Sequence, residues 1–226
     1  MSRDIPLFPL GLVLFPNQLL PLHIFEDRYK RMIGECLEED TEFGVVLIKQ
    51  GREVGGGAVP FTVGTTAKIV NVERLPEGRM NLQVMGQEPF RVVNVTQQDP
   101  YMRGEIEPLE RDVGETEGLD SVIASVKEQF SAHLGILARL SERERVNLDL
   151  DQDAESLSYL VASVLAIQMP EKQELLELTQ AGKRLRREAT LLNRENRALQ
   201  AFLYLRKTAK KVQPVGGNLQ DRISPN

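Results

Sequence analysis

The chain has 226 residues, 41% of them hydrophobic and 27% charged, with no Trp and a formal charge of −5. That composition supports an aliphatic core in one domain or two small ones. The acidic balance disfavours a general nucleic-acid binder, which needs a basic face to displace counterions, and the single Cys36 excludes an intrachain disulfide.

The apolar start is interrupted by Pro6, Pro9, Pro16 and Pro21, has no basic stretch beyond Arg3, and carries no small-residue cleavage site. No stretch reaches the ~20 apolar residues of a membrane helix. The expected setting is cytoplasmic, with no membrane contact.

Residues 5–8 and 12–15 are short apolar runs that read as strands. Residues 26–39 change character: Tyr29, Met32, Ile33, Cys36 and Leu37 fall at helical spacing, with Glu26 and Asp27 in the first turn, where the helix dipole favours negative charge. Residues 43–49 read as a buried strand and 51–57 as a loop. Residues 65–74 and 79–85 flank Leu75-Pro76-Glu77-Gly78, a hairpin signal, and 90–95 and 101–107 continue the strands. Residues 108–118 are acidic and poor in apolar side chains, and form the expected boundary.

Beyond it the chain reads as helical. Leu119, Val122, Ile123, Val126, Phe130, Leu134 and Leu137 make one apolar stripe. Residues 154–169 are apolar on most sides, as a central helix would be, and Pro170 suits the first turn of the next, over 171–178. A long charged helix follows at about 181–207. Leu178, Leu185, Leu192 and Leu199 recur every seven residues, and Asn196 sits in the companion row. This heptad suits a partner helix or the chain's own bundle; Gly182 marks a helix boundary or a break in the seam. The expected organisation is α+β: a β-rich part at 1–110 with one helix, a helical bundle at 119–207, and a disordered tail at 208–226.

Several motifs taken together resemble the N-terminal domain family of Lon proteases. They are Ile5-Pro6-Leu7-Phe8-Pro9-Leu10, Val13-Leu14-Phe15-Pro16, Leu20-Pro21-Leu22-His23-Ile24-Phe25-Glu26 with Arg28-Tyr29, Phe43-Gly44-Val45-Val46-Leu47-Ile48, Val63-Gly64-Thr65, Leu75-Pro76-Glu77-Gly78-Arg79, Phe90-Arg91-Val92, Tyr159-Leu160-Val161-Ala162 and Lys172-Gln173-Glu174-Leu175-Leu176-Glu177. The resemblance covers about residues 4–205. It implies a small PUA-like β-barrel followed by a helical bundle, a domain that in full-length Lon captures substrate proteins and aids oligomerisation. Asp27 stands where the family often has proline, and Gln87-Glu88-Pro89 where it often has a basic pair. The chain is read as a stand-alone form without ATPase and peptidase domains.

No catalytic constellation is legible. Gly55-Gly56-Gly57 is followed by Ala58-Val59-Pro60 and lacks the Lys-Ser or Lys-Thr of a phosphate loop. No flanking motif singles out a Ser–Lys pair, and Cys36 sits on the apolar face of its helix, away from a role with His23 or His133. His23 is expected to make a structural hydrogen bond. One Cys and two His do not furnish a zinc site. Asp149, Asp151 and Asp153 have calcium-loop spacing, but Ala154 and Leu160 stand where Gly and Glu are needed, so capping explains them better. Lys183, Arg184, Arg186 and Arg187 read as a solvated helix face.

The expected function is therefore a non-catalytic protein- or peptide-binding module without cofactor or metal, an adaptor or regulator in protein quality control. The alternatives are a homo-oligomeric scaffold and a non-catalytic partner of a separate ATP-dependent protease; RNA binding ranks below both. Its partners would be unfolded or specific protein clients. Asp27, Arg28 and Arg31, in the first helix, are the candidate recognition residues, with a binding surface expected where barrel meets bundle. Leu185, Leu192, Asn196 and Leu199 are the candidate helix-partner seam.

Overall fold

A computed structural model describes residues 2–53, 57–110, 112, 117–141 and 148–211, with side chains to 208. The middle of the 51–57 loop, much of the 108–118 stretch and residues 212–226 of the expected tail lie outside the described residues.

Among the described residues, six strands and five α-helices follow one another as β1 (Arg3–Leu10), β2 (Leu19–Ile24), α1 (Asp27–Glu39), β3 (Phe43–Gln50), β4 (Val59–Arg74), β5 (Met80–Gln97), β6 (Met102–Pro108), α2 (Leu119–Ser141), α3 (Ala154–Val164), α4 (Met169–Glu177) and α5 (Ala181–Lys211). The sheet order is β2-β5-β4-β3-β1-β6, and a further pairing brings β6 back onto β5. Strands β5, β4, β3, β1 and β6 thus form a hydrogen-bonded ring. β1 and β3 run parallel and the other neighbours antiparallel. β2 hangs outside the ring on the first half of β5, with Leu19 opposite Met85 and Ile24 opposite Met80.

The ring is small because it is filled. Ile5, Leu7, Val46, Phe90 and Ile106 form one buried cluster. Glycines face it where side chains would collide: a Cβ on Gly44 would lie 2.6 Å from Phe90 Cζ, and one on Gly104 would lie 2.8 Å from Leu7 Cδ1. Helix α1 covers an open side of the sheet with Tyr29, Met32, Ile33 and Cys36, packed with Phe8, Phe43 and Leu82. It stops at Asp40, whose left-handed backbone (φ 50) turns its N–H back to Cys36 O.

A third cluster crosses the expected boundary. Val13, Phe15, Leu47 and Val63 from the strand region pack with Val126, Phe130, Leu157, Leu175, Leu185 and Leu192 from the helices. The Phe15 and Tyr159 rings lie 6.4 Å apart, and Gln173 Nε2 on α4 donates to Val63 O on β4 at 3.0 Å. The β-rich and helical parts share one core.

Three expected elements take another form. Residues 12–15 are not a strand: Asn17, with φ 62, bends the chain after Pro16, although Val13, Leu14 and Phe15 are buried. The expected strands at 79–85 and 90–95 are one continuous β5. The helix expected over 154–169 ends at Val164, and Leu165 leaves helical backbone with ψ 125. Pro170 has no N–H to give residue 166 and its ring would meet that carbonyl, so a new helix starts at Met169. At the far end, α5 runs on to Lys211.

Candidate functional site

Strand β2 carries an exposed, mostly apolar row on one face. Pleating sends Leu20, Leu22 and Ile24 toward the core beneath α1. The opposite face presents Leu19, Pro21 and His23, and Phe25 continues the row. Leu19 is 56% and Phe25 50% exposed, whereas side chains of this kind are ordinarily covered. Among the described residues β2 pairs only with β5. Gly86 N–H donates to Gln18 O at 3.0 Å, which sets the parity: even-numbered residues of β2 bond inward, and 19, 21 and 23 turn their backbone groups to the free edge. Pro21 has no N–H, so that edge lacks its middle donor and resists strand addition. The face of β2, rather than its edge, is the available surface.

Next to the row, three polar residues line up across three strands. His23 on β2 is opposite Asn81 on β5, which is opposite Glu73 on β4. Asn81 Nδ2 donates to Glu73 Oε2 at 2.8 Å, so its Oδ1 is the acceptor that lies 2.7 Å from His23 Nδ1. The network assigns the proton to Nδ1. The imidazole ring stacks on Phe25 with centroids 6.0 Å apart. His23 therefore makes the structural hydrogen bond expected of it. A cavity of about 350 Å³ opens here, lined by Pro21, His23, Asn71, Glu73, Asn81 and Gln83, with Leu22 and Leu82 beneath.

The three charged residues singled out on α1 do not form one cluster. The Asp27 side chain is 96% exposed and accepts from Lys30 Nζ at 2.9 Å. Arg28 turns away into a cleft: Nε donates to Glu26, Nη2 donates to Glu53 O at 3.1 Å, and its guanidinium lies 4.3 Å from the Tyr29 ring centre. Burial pushes the Tyr29 phenol up to about 12. That cleft, about 340 Å³, is bordered by Pro9, Arg28, Tyr29, Val59, Asp99 and Met102. Arg31 is exposed and donates to Glu35 at 2.9 Å. At the barrel–bundle junction the two parts pack together in the shared core.

The candidate seam on α5 faces the chain's own bundle. Leu185 and Leu192 are fully buried, and Leu199 is half-buried. Asn196 donates to Gln129 O at 3.0 Å and its Oδ1 lies 2.8 Å from His133 Nδ1, which ties α5 to α2. Farther along, Phe202, Tyr204 and Leu205 are exposed.

The other sequence candidates have structural partners. Burial pushes the Cys36 thiol up to about 11, which keeps it protonated at neutral pH. His23 and His133 bond to asparagines, and no Cys–His pair is formed. Asp153 caps α3 by accepting from the Glu155 and Ser156 amides, and Asp151 accepts from Lys127. Of the basic run, Arg184 is buried and Arg187 donates to Glu174 at 3.0 Å. No group of three His, Cys, Asp or Glu gathers to hold a metal among the described residues, and none of the described helices is long and apolar enough to cross a membrane.

The family model of the ATP-dependent protease La (LON) substrate-binding domain matches residues 4–194. The chain belongs to that family. It is 24% identical over 210 residues to a Lon protease of Azospirillum brasilense, which covers 91% of this chain and 26% of that protein. It is 28% identical over 175 residues to one of Amoebophilus asiaticus, covering 76% of this chain and 21% of that protein. The chain thus spans about a quarter of the length of the curated relatives it matches. Among solved structures, a Lon N-terminal domain protein from Xanthomonas campestris superposes with a TM-score of 0.60 at 26% identity, over 81% of this chain and 95% of that one. The N-terminal domain of Mycobacterium avium complex Lon protease shares the fold, with a TM-score of 0.64 at 18% identity over 84% and 98%. The sequence candidates on α1 do not include the β2 row. The run Leu19-Leu20-Pro21-Leu22-His23-Ile24-Phe25 is apolar at nearly every position, so alternation cannot show which side chains face outward.

Proposed function

We propose that this chain is a non-catalytic module that binds exposed apolar segments of protein clients on the outer face of β2. The observation that carries the reading is the row Leu19, Pro21, His23 and Phe25, held outward by a strand whose other side is anchored in the core, in a member of a substrate-binding family. An unfolded segment laid on that row would remove both it and the client from water. Asp27, two residues past Phe25 and 96% exposed, would act on the charge of flanking client residues, and Arg31, paired with Glu35 one turn on, would act at longer range. The role is that of an adaptor or regulator in cytoplasmic protein quality control, alone or alongside a separate ATP-dependent protease; neither a cofactor nor RNA is part of it.

The test is fluorescence anisotropy with a reduced, alkylated, permanently unfolded protein as client. Leu19→Ser combined with Phe25→Ser is expected to weaken binding by about tenfold or more, since burying each such side chain contributes roughly 1.5–3 kcal/mol. Arg28→Glu with Arg31→Glu is expected to weaken it less. Unchanged affinity in the Ser variant would refute the assignment.

A second reading, self-association through α5, has support of its own. The Leu185, Leu192, Asn196 and Leu199 seam packs inside the chain, but Phe202, Tyr204 and Leu205 are 57%, 68% and 63% exposed. Light scattering of wild type against Phe202→Ser with Leu205→Ser decides it, an identical monomeric mass in both ending the idea.

A further inference from the structure

We infer that the client segment selected by the β2 face is apolar with one basic side chain, and that this Lys or Arg seats against Glu73 in the cavity beside the row. The inference rests on the proposed function and specifies its substrate class.

The cavity and the apolar row share Pro21 and His23, so one extended segment can reach both. Among the cavity's lining residues Glu73 is the one with a formal charge at neutral pH. Its Oε2 accepts from Asn81, and Asn81 is in turn held by His23. No other hydrogen bond or ion pair reaches Glu73 among the described residues, which leaves Oε1 open to a client. The ladder holds the carboxylate in place by a neighbour's side chain, so a ligand does not bear the full cost of ordering it. The remaining lining can add acceptors beside the carboxylate: the Asn71 and Gln83 amides each offer an oxygen along with an NH2 group, and His23 Nε2 is an acceptor once Nδ1 carries the proton. Lys and Arg are donors only and match such a wall. A client carboxylate would meet Glu73 without a compensating cation, and a purely apolar segment would cover these acceptors without pairing them.

The probes are two fluorescein-labelled unstructured peptides of Leu and Ser, one with a central Arg and one with Gln in its place. Wild-type protein is expected to bind the Arg peptide about fivefold more tightly, a range typical of a solvent-accessible charge pair. The preference should shrink as salt rises from 50 to 500 mM. Glu73→Gln, at an exposed position that leaves the Asn81 contact an oxygen to bond, is expected to bind both peptides equally while its circular dichroism and melting temperature match wild type. Equal binding of both peptides by wild type, with loss of both in the Leu19→Ser, Phe25→Ser variant, would overturn the basic-residue inference and leave the apolar row standing. Binding of neither peptide, with the unfolded protein also unbound, would overturn both.

Discussion

Phe90 occupies the space that a side chain at Gly44 would need: its Cζ lies 2.6 Å from where a Cβ on Gly44 would stand, closer than real Cβ contacts come. Leu7 Cδ2, at 2.8 Å, closes the other side. The ring of strands is thus tightened around one aromatic side chain. Gly44→Ala is expected to destabilise the fold by about 1–3 kcal/mol through overpacking, read as a lower urea midpoint at unchanged slope. Adding Phe90→Leu to that variant should recover part of the loss, and a midpoint equal to wild type in Gly44→Ala alone would contradict the packing argument.

Glu188 gives a pH dependence with a definite sign. It is wholly buried on α5, accepts from Ser158 Oγ at 2.9 Å, and its Oε2 has no hydrogen-bond partner. Burial raises its pKa from 4.5 to about 8, and Ser158 and Arg184 pull the other way without overcoming it. The folded chain therefore holds this proton more tightly than the unfolded chain. The resulting stability is fully present below pH 4.5 and is lost as pH rises through about 8. Urea melts from pH 4.5 to 8 should show wild type losing a few kcal/mol relative to Glu188→Gln. Parallel curves for the two proteins would show that Glu188 does not titrate in this way.

Leu192 separates the two uses of the α5 heptad. It is fully buried in the cluster that α5 shares with α2 and α3. Leu192→Ala is expected to cost ~2–5 kcal/mol, and Leu192→Glu to unfold the bundle, seen as lost helical dichroism. A Leu192→Glu protein that stays folded and only changes mass in light scattering would place the residue at an intermolecular seam instead.

Much of the fold is legible from local pattern. The α1 stripe, the Pro76–Gly78 turn between β4 and β5, and the α2 stripe each carry their own period, and the structure realises all three. The break after Val164 is not read from apolar content, because Leu165, Ala166, Ile167 and Met169 continue the apolar run; Pro170 shows only that a new helix begins near it. Asn196 is placed in the right row by the heptad, but its partners, His133 and Gln129, are 63 and 67 residues away in the chain. The proposed docking face is the least legible part. His23, Asn81 and Glu73 meet only through strand register, and the exposure of Leu19 and Phe25 depends on no other element of the described residues covering that face. Long-range pairing sets both, and no local spacing encodes it.

Strand β5 has a divided duty. Its first half holds β2 and its second half closes the ring against β6. Whatever tugs on a polypeptide lodged over β2 therefore loads a six-residue seam first, and through it a strand whose far end is clamped in a closed hoop. If clients bind there as proposed, a hard pull would strain the β2–β5 seam before the closed hoop, and the grip would yield ahead of the body of the molecule.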